Sequence, residues 1–457
     1  MPSFDDFGLS PAMMSSLSRL GLVQPTDIQR LALPHCLAGR DVIAMARTGS
    51  GKTAAFGIGL VEKLRPRDFS VQALVLCPTR ELADQVAKAL RELARAKRNI
   101  KILTLCGGVP IGPQIGSLSH GAHVVVGTPG RIEDHLRKGT LDLGNAGMVV
   151  LDEADRMLDM GFEASVESIL AQTPDRRQTL MFSATWPKAI RALSGRYQKE
   201  PVDVRVEGTQ ATPDIHEVFF EIPPDAEVPA VMALLSRYQP TSAIVFCATK
   251  QNCDQLASSL RGEGFSAEAL HGDLDQRERD SVLVRFGNRS CSILVATDVA
   301  ARGLDIKSLP LVINAEPARD PEVHTHRIGR TGRAGEEGVA VTLCTPSKGH
   351  KISRLESARG QAVQWGDTEA LLATEISPVT PPMVTLNIAG GRKNKVRPGD
   401  ILGALTGEAG IPGSAVGKID LFEFESFVAI EADYAARALK RLERGKIKGR
   451  NFRIRYA

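Results

Sequence analysis

Along residues 1–206, short apolar runs recur between stretches whose apolar residues lie three and four apart. The runs are 41–46, 73–77, 100–106, 123–127, 148–152, 179–183 and 202–206. They are near-continuous rather than alternating, which predicts strands buried on both faces. The helical stretches between them, such as 81–96, predict a parallel sheet covered by helices. Residues 207–214, E-G-T-Q-A-T-P-D, break the pattern and read as a linker. The alternation restarts with runs at 242–247, 267–271, 292–296, 311–314 and 338–344, so 215–358 reads as a second α/β lobe. Within it, Asp275 followed by Glu278 has the form of a capping box at a helix start. The pattern fades over 359–382, where S-P-V-T-P-P reads as another linker. Residues 383–457 then read strand (384–388), helix (400–405), strands (417–422 and 426–430), helix (434–442) and strand (451–455). That order is the β-α-β-β-α-β of ferredoxin-like domains.

Composition sharpens this picture. A chain of 457 residues suits about three domains at roughly 150 residues each. Hydrophobic residues make up 43% and charged residues 24%, ordinary for a globular chain. No apolar run approaches the roughly 18 residues of a membrane span, and M-P-S-F-D-D-F-G-L-S has no secretory pattern. The expectation is a cytoplasmic chain with no membrane partner. Seven Cys without a C-x-x-C pair predict reduced, buried thiols rather than disulfides or zinc ligands. The net charge of +4 is unevenly spread. From Met383 onward there are 14 Lys and Arg against 8 Asp and Glu; the rest of the chain has 43 against 45. A basic tail predicts an acidic partner, most simply nucleic acid.

Three stretches carry candidate chemistry. Residues 46–53 read A-R-T-G-S-G-K-T between a strand and a helix. This is the layout of a phosphate cradle: glycines let backbone N–H groups converge on phosphate oxygens, and the helix N-terminus adds its positive end. Ala46, Arg47, Thr48, Gly49, Ser50 and Gly51 would form the loop, Lys52 would reach the outer phosphates, and the Thr53 hydroxyl would bind Mg²⁺. Ala46 stands where the general pattern has glycine. Met148 and the residues after it run into D-E-A-D at 152–155, at the end of a buried strand where α/β sheets place ligands. Asp152 would hold Mg²⁺ through the nucleotide and water, and Glu153 would polarise the attacking water. In the second lobe, 326–333 read H-R-I-G-R-T-G-R. Arg330 and Arg333 share a face on a helical turn and would serve as arginine fingers on the outer phosphate.

With these motifs in order, the chain resembles a DEAD-box RNA helicase from residue 4 to about residue 345. The resemblance implies an α/β fold of two tandem RecA-like parallel-sheet lobes plus a C-terminal α+β RRM-like (ferredoxin-like) domain. It implies ATP and Mg²⁺ as cofactors, RNA as partner, and ATP hydrolysis coupled to local unwinding of short RNA duplexes. By family likeness Phe4 stacks on adenine and Gln29 bonds its edge, although Leu22 stands where an aromatic is common. The same likeness accounts for Ala46 and gives Asp305 a ribose contact. Ser183 and Thr185 of S-A-T would couple hydrolysis to strand separation, and His326 and Asp155 would organise the network between lobes. The implied RNA contacts are Arg80 in P-T-R-E-L, Gly108 in G-G, Thr128 and Arg131 of T-P-G-R, then Thr249, Arg279 with Gln276, and Thr297. Hydroxyls, amides near glycine and single arginines grip phosphates without reading bases, with 2′-OH contacts available to tell RNA from DNA.

The tail has two basic clusters, G-R-K-N-K-V-R at 391–397 and G-K-I-K-G-R-N-F-R-I-R at 445–455. RNA-recognition motifs stack bases on aromatics of the central strands. Here the first strand offers Leu386 and Ile388, and the 426–430 strand offers only Phe427. The expectation is that Arg392, Lys393, Lys395, Arg397, Lys446, Lys448 and Arg450, with the helix start near Asp400, contribute most of the binding. K-V-R-P-G-D-I-L-G-A-L-T-G resembles the C-terminal domain of a bacterial DEAD-box subfamily directed to large-subunit ribosomal RNA. That implies a partner in pre-ribosomal particles and a role in large-subunit assembly. Nothing in the sequence calls for more than a monomer. The alternative is a general RNA chaperone or ATP-gated clamp without ribosomal RNA specificity.

Overall fold

The computed structural model describes residues 3–46, 49–186, 188–206, 215–301, 309–332, 338–407 and 410–457. Arg47, Thr48, Asp305, Arg333 and the expected linker 207–214 lie outside the described residues.

The first lobe is a seven-stranded, all-parallel sheet. Its strands are β1 (Val42–Met45), β2 (Ala73–Leu76), β3 (Ile102–Leu105), β4 (Val124–Gly127), β5 (Met148–Asp152), β6 (Gln178–Ser183) and β7 (Val202–Arg205). The spatial order is β3-β4-β2-β5-β6-β1-β7. The apolar runs are continuous because both faces are covered: β2, β4, β5 and β6 are buried at every position. The helix Lys52–Lys63 lies on one face, with Phe56 packed at 5.2 Å from Phe182 of β6. β5, β6 and β1 are neighbours, so the D-E-A-D, S-A-T and glycine-loop segments all leave the same carboxyl edge.

The second lobe is also all-parallel: β8 (Ile215–Glu221), β9 (Ala243–Cys247), β10 (Ala267–Leu270), β11 (Ile293–Thr297), β12 (Leu311–Asn314) and β13 (Gly338–Cys344), in the order β10-β11-β9-β12-β13-β8. β8 is absent from the sequence reading. It opens on I-H-E, whose side chains are only half-buried or exposed, and only Val218–Phe220 faces the core, so its apolar signal is three residues long. The Asp275 capping box forms as expected: Asp275 Oδ1 accepts from Glu278 N at 2.9 Å and Asp275 N donates to Glu278 Oε2 at 2.9 Å.

Within 359–382, residues 364–366 pair with the outer edge of β8 at Phe219. Phe219 N donates to Gln364 O at 2.8 Å, and Gly366 N donates back to Phe219 O at 2.7 Å. The short helix Thr368–Leu372 buries Leu371 in the second lobe's core. A stretch without periodicity is thus held by backbone bonds that satisfy an otherwise open edge.

The third sheet contains β14 (Met383–Ile388), β15 (Val416–Leu421), β16 (Ser426–Glu431) and β17 (Ile454–Tyr456), all antiparallel, in the order β15-β16-β14-β17. With helices Pro398–Thr406 and Ala432–Arg444 this is the ferredoxin-like arrangement. Strand alternation sends Leu386, Ile388, Val428 and Ile430 into the core with Ile401, Leu405 and Leu442. Leu386 and Ile388 are therefore not on the open face. Thr385, Asn387, Phe427 and Ala429 are, and all four are buried. Thr385 Oγ1 accepts from Asn288 Nδ2 at 2.8 Å and lies 2.5 Å from Ser290 Oγ, both in the second lobe.

All seven cysteines are buried free thiols. Burial pushes Cys36, Cys106 and Cys291 up to about 12. Among the described residues, no helix is long and apolar enough to cross a membrane.

Candidate active site

Gly51 caps the helix Lys52–Lys63 in the left-handed region, with φ 94°. A Cβ there would meet Gln29 Nε2 at 2.5 Å and Thr26 Oγ1 at 2.9 Å, so only glycine fits. Gln29 is buried and braces the loop: its Nε2 donates to Gly51 O at 3.1 Å, and its Oε1 accepts from Thr26 N at 3.0 Å. Ala46 N donates to Ser183 O at 3.1 Å, which ties the start of the loop to S-A-T. Phe4 is buried in the first lobe's core with its ring edge-on to Phe7 at 6.3 Å. Gly49 is exposed and Thr53 half-buried.

Two polar atoms of the loop, Ser50 Oγ and Lys52 Nζ, are buried without a hydrogen-bond partner among the described residues. An unpartnered buried polar group costs free energy that a ligand of opposite charge recovers. The arrangement is a cation and a hydroxyl beside a helix N-terminus, which suits a phosphate.

Asp152 ends β5 fully enclosed. Burial pushes its carboxyl up to about 6, opposed by the nearby Lys52 ammonium and reinforced by Glu153. Glu153 follows in the left-handed region at φ 53°, an uncommon conformation for a glutamate. Its Oε2 receives Arg156 Nη1 at 2.8 Å, with both side chains buried. Asp155 fastens D-E-A-D to S-A-T. Its Oδ2 accepts from Ala184 N at 3.2 Å, Thr185 N at 2.9 Å and Thr185 Oγ1 at 2.9 Å. Burial acts to raise its pKa, but the Thr185 and Ser183 bonds outweigh it and hold Asp155 below the usual carboxylate range.

The expected RNA-side residues of this lobe cluster on adjacent loops. Thr79 and Thr128 are N-caps of the helices Arg80–Leu93 and Pro129–Arg137. The Arg80 guanidinium lies over Gly107 and Gly108; at Gly108, φ +76°, a Cβ would sit 1.7 Å from it. Arg131 Nη2 donates to Val109 O at 2.9 Å and Nη1 to Gln114 Oε1 at 3.0 Å.

In the second lobe, Thr249 is the exposed N-cap of Lys250–Gly262, Thr297 ends β11, and Arg279 Nη2 donates to Ala300 O at 2.7 Å. Arg330 is buried just after the helix Pro321–Ile328, and His326 is half-buried on that helix.

In the tail, the two basic clusters form one surface: Lys448 Nζ donates to Lys395 O at 2.8 Å, across 53 residues of sequence. Arg392, Lys393, Lys395, Arg397, Lys446, Lys448 and Arg450 are all exposed.

Two arginines escaped the sequence reading. Arg156 sits three residues after Glu153, a helical pairing distance that was there to be read. Arg327 hides inside the basic run 326–333. It is buried, pairs with Asp298 at 2.6 Å, bonds Glu316 O at 3.0 Å, and lies 5.2 Å from the Phe246 ring centre. It holds the strand ends of the second lobe together.

Comparison with known proteins places this geometry. The DEAD/DEAH box helicase family model matches residues 26–193, the helicase conserved C-terminal domain 226–335, and the DbpA RNA binding domain 385–456. The chain is 51% identical over 447 residues to the ATP-dependent RNA helicase DbpA of Escherichia coli, covering 98% of this chain and 97% of that one. It is 46% identical to the DEAD-box ATP-dependent RNA helicase CshA of Geobacillus kaustophilus, over 78% of this chain and 76% of that one. Among solved structures, Saccharomyces cerevisiae Dbp5 bound to RNA and ADP BeF3 superposes with a TM-score of 0.73 at 30% identity, covering 80% of this chain and 96% of that one. The chain belongs to the DEAD-box ATP-dependent RNA helicases and carries a DbpA RNA-binding domain.

Proposed function

We propose that the protein hydrolyses ATP to separate short duplexes in large-subunit ribosomal RNA during assembly of that subunit in the cytoplasm. The observation that carries the catalytic part is the buried, unpartnered Lys52 Nζ beside the enclosed Asp152. Both groups gain when a phosphate and a cation arrive together. Lys52, Ser50 and the loop amides bind the outer phosphates, and Phe4, Gln29 and Asp305 take the adenosine. Thr53 and Asp152 would hold Mg²⁺ through the nucleotide and water, where a cation supplies charge neutralisation at the cleaved phosphate. One carboxylate, one hydroxyl and the phosphates suit that ion's preference for few protein ligands.

Glu153 takes the proton of the attacking water, and the buried Arg156 beside it fixes the carboxylate's aim. Arg330 and Arg333 stabilise the developing charge when the second lobe closes on the nucleotide; such fingers supply about 10³–10⁵ in rate. Asp155 carries the change to Ser183 and Thr185. Thr79, Thr128 and Thr249 begin helices, whose N-termini favour backbone phosphates. They grip one RNA strand with Arg80, Arg131, Arg279, Gly108 and Thr297. Closure bends that strand and weakens local pairing.

Targeting rests on the tail. Its two basic clusters make one exposed surface, and it matches a DbpA RNA-binding domain. The buried Thr385, Asn387 and Phe427 leave the sheet face little room for base stacking. The test compares ATPase stimulation by large-subunit ribosomal RNA and by unrelated RNA, in the full chain and in Lys395→Glu/Lys448→Glu. We expect preferential stimulation by ribosomal RNA that the double variant loses. Equal stimulation by both RNAs in the unaltered chain would reject targeting and favour a general RNA chaperone.

A further inference from the structure

Gln114 belongs to none of the motifs invoked above, yet two of them, the Gly107-Gly108 loop and T-P-G-R, meet at its side chain. It lies in the helix Ile111–Leu118, which follows the Gly107-Gly108 loop. Its Nε2 donates to Cys106 O at 2.9 Å, where the loop leaves β3. Its Oε1 accepts from Arg131 Nη1 at 3.0 Å and lies 3.0 Å from His135 Nε2. Arg131 Nη2 in turn donates to Val109 O at 2.9 Å. Both ends of the glycine loop, Cys106 O and Val109 O, are therefore pinned through one carboxamide and one guanidinium.

The orientation of this carboxamide is determined by donors and acceptors. His135 is fully buried. Burial, helped by the Arg131 charge, holds its imidazole below the ordinary histidine value, so it is neutral at physiological pH. Its Nδ1 lies 2.8 Å from Thr140 Oγ1, a hydroxyl that also lies 3.2 Å from His135 O. Arg131 Nη1 can only donate, so the carboxamide oxygen faces it; His135 meets that same oxygen and therefore donates from Nε2, leaving Nδ1 to accept from Thr140 Oγ1. Two donors, from Arg131 and His135, converge on Oε1. A flipped amide would aim N–H at N–H and turn a carbonyl toward Cys106 O. Glycine is the most permissive backbone, and two in succession would leave this loop many conformations. The Gln114 bonds remove that freedom.

We propose that Gln114 is a positioning residue for RNA: it sets the Arg131 guanidinium and the Gly107-Gly108 loop as one preformed grip. The inference rests on the reading that Arg131 and this loop face RNA. Its readout is the RNA dependence of ATP hydrolysis, because Gln114 has no bond to the glycine loop of the nucleotide site or to D-E-A-D among its described contacts.

The experiment measures ATPase rate against concentration of large-subunit ribosomal RNA in the full chain, with the KM for ATP and the thermal midpoint. The variants are Gln114→Met, Gln114→Glu and Arg131→Ala. Gln114→Met keeps the side-chain length and removes all three bonds. It should raise the RNA concentration for half-maximal rate about tenfold, the scale of one to two lost hydrogen bonds, with kcat at saturating RNA and KM for ATP unchanged within about twofold. Gln114→Glu still accepts from Arg131 and His135 but cannot donate to Cys106 O, so it should recover part of the loss and leave about a threefold rise. If Gln114→Met lowers the thermal midpoint, Gln114→Glu decides alone: a threefold rise supports the proposal and none overturns it. RNA half-saturation unchanged in the Gln114 variants but raised in Arg131→Ala overturns the role of Gln114. Half-saturation unchanged in Arg131→Ala as well overturns the RNA-facing reading and the inference with it.

Discussion

Lys52 and Arg131 are both cations in the first turn of a first-lobe helix, and they are held in opposite ways. Lys52 Nζ is buried without a hydrogen-bond partner among the described residues, next to an Asp152 whose carboxyl burial pushes up to about 6. Arg131 is half-buried with both terminal nitrogens bonded, to Val109 O and to Gln114. The proposed nucleotide side thus holds a buried ammonium that lacks a hydrogen bond beside a carboxyl raised by burial, and a phosphate arriving with a cation relieves both. On the proposed RNA side, Arg131 already has its bonds, so that side's contribution is geometry fixed in advance. Breaking the first should change chemistry and stability, and breaking the second should change affinity alone.

The largest expected effect is on Glu153. Gln at this position keeps the shape but cannot accept the water's proton. RNA-saturated ATPase should fall by at least about 10², the usual size of a general-base contribution. Binding of ATP and of RNA should stay within a few-fold, and steady-state rates with parallel binding titrations check both.

A smaller effect divides the two aspartates of the same segment. Burial raises Asp152 in the folded chain to about 6 against 3.8 for the free residue. The stability it contributes is thus present below 3.8 and is lost as pH rises through 6. Asp152→Asn should therefore stabilise the nucleotide-free chain at pH 8, by at most about 3 kcal/mol, with the gain vanishing toward pH 4. Asp155 is shifted the other way by Thr185 and Ser183. Its stability is present above the free-residue value and is lost as pH falls through the lowered one. Asp155→Asn should destabilise at neutral pH by about 1–3 kcal/mol, with a penalty that shrinks in acid. Thermal melts of the two variants across pH 4–8 should thus diverge in sign, and a shared sign would break the comparison.

Much of this was legible in the chain. The continuous apolar runs became strands within a residue or two of their expected bounds, as with Met148–Asp152 and Leu311–Asn314, because both sheet faces are buried. β8 was illegible because its opening residues face out and only Val218–Phe220 packs inward. Residues 359–382 were unreadable for another reason: backbone bonds of residues 364–366 to Phe219 and of Ser377 to Ser236 and Gln239 tie them down, and such bonds leave no mark on residue type. In the site, Lys52, Asp152 and Glu153 could be named from spacing alone. That Lys52 stands unpartnered, or that Arg156 braces Glu153, depends on burial and three-dimensional proximity. Gln114 was missed because a lone glutamine carries no pattern; only the convergence of Cys106 O, Arg131 and His135 marks it.

The most direct measurement of the account is reciprocal binding on the unaltered chain. Affinity for a single-stranded RNA is measured with and without a non-hydrolysable ATP analogue, and affinity for the analogue with and without that RNA. If the nucleotide side and the preformed RNA side report to one closed arrangement, each ligand tightens the other by the same factor, about 5–150-fold in typical coupled systems. Affinities for RNA and for the analogue that ignore each other would contradict it.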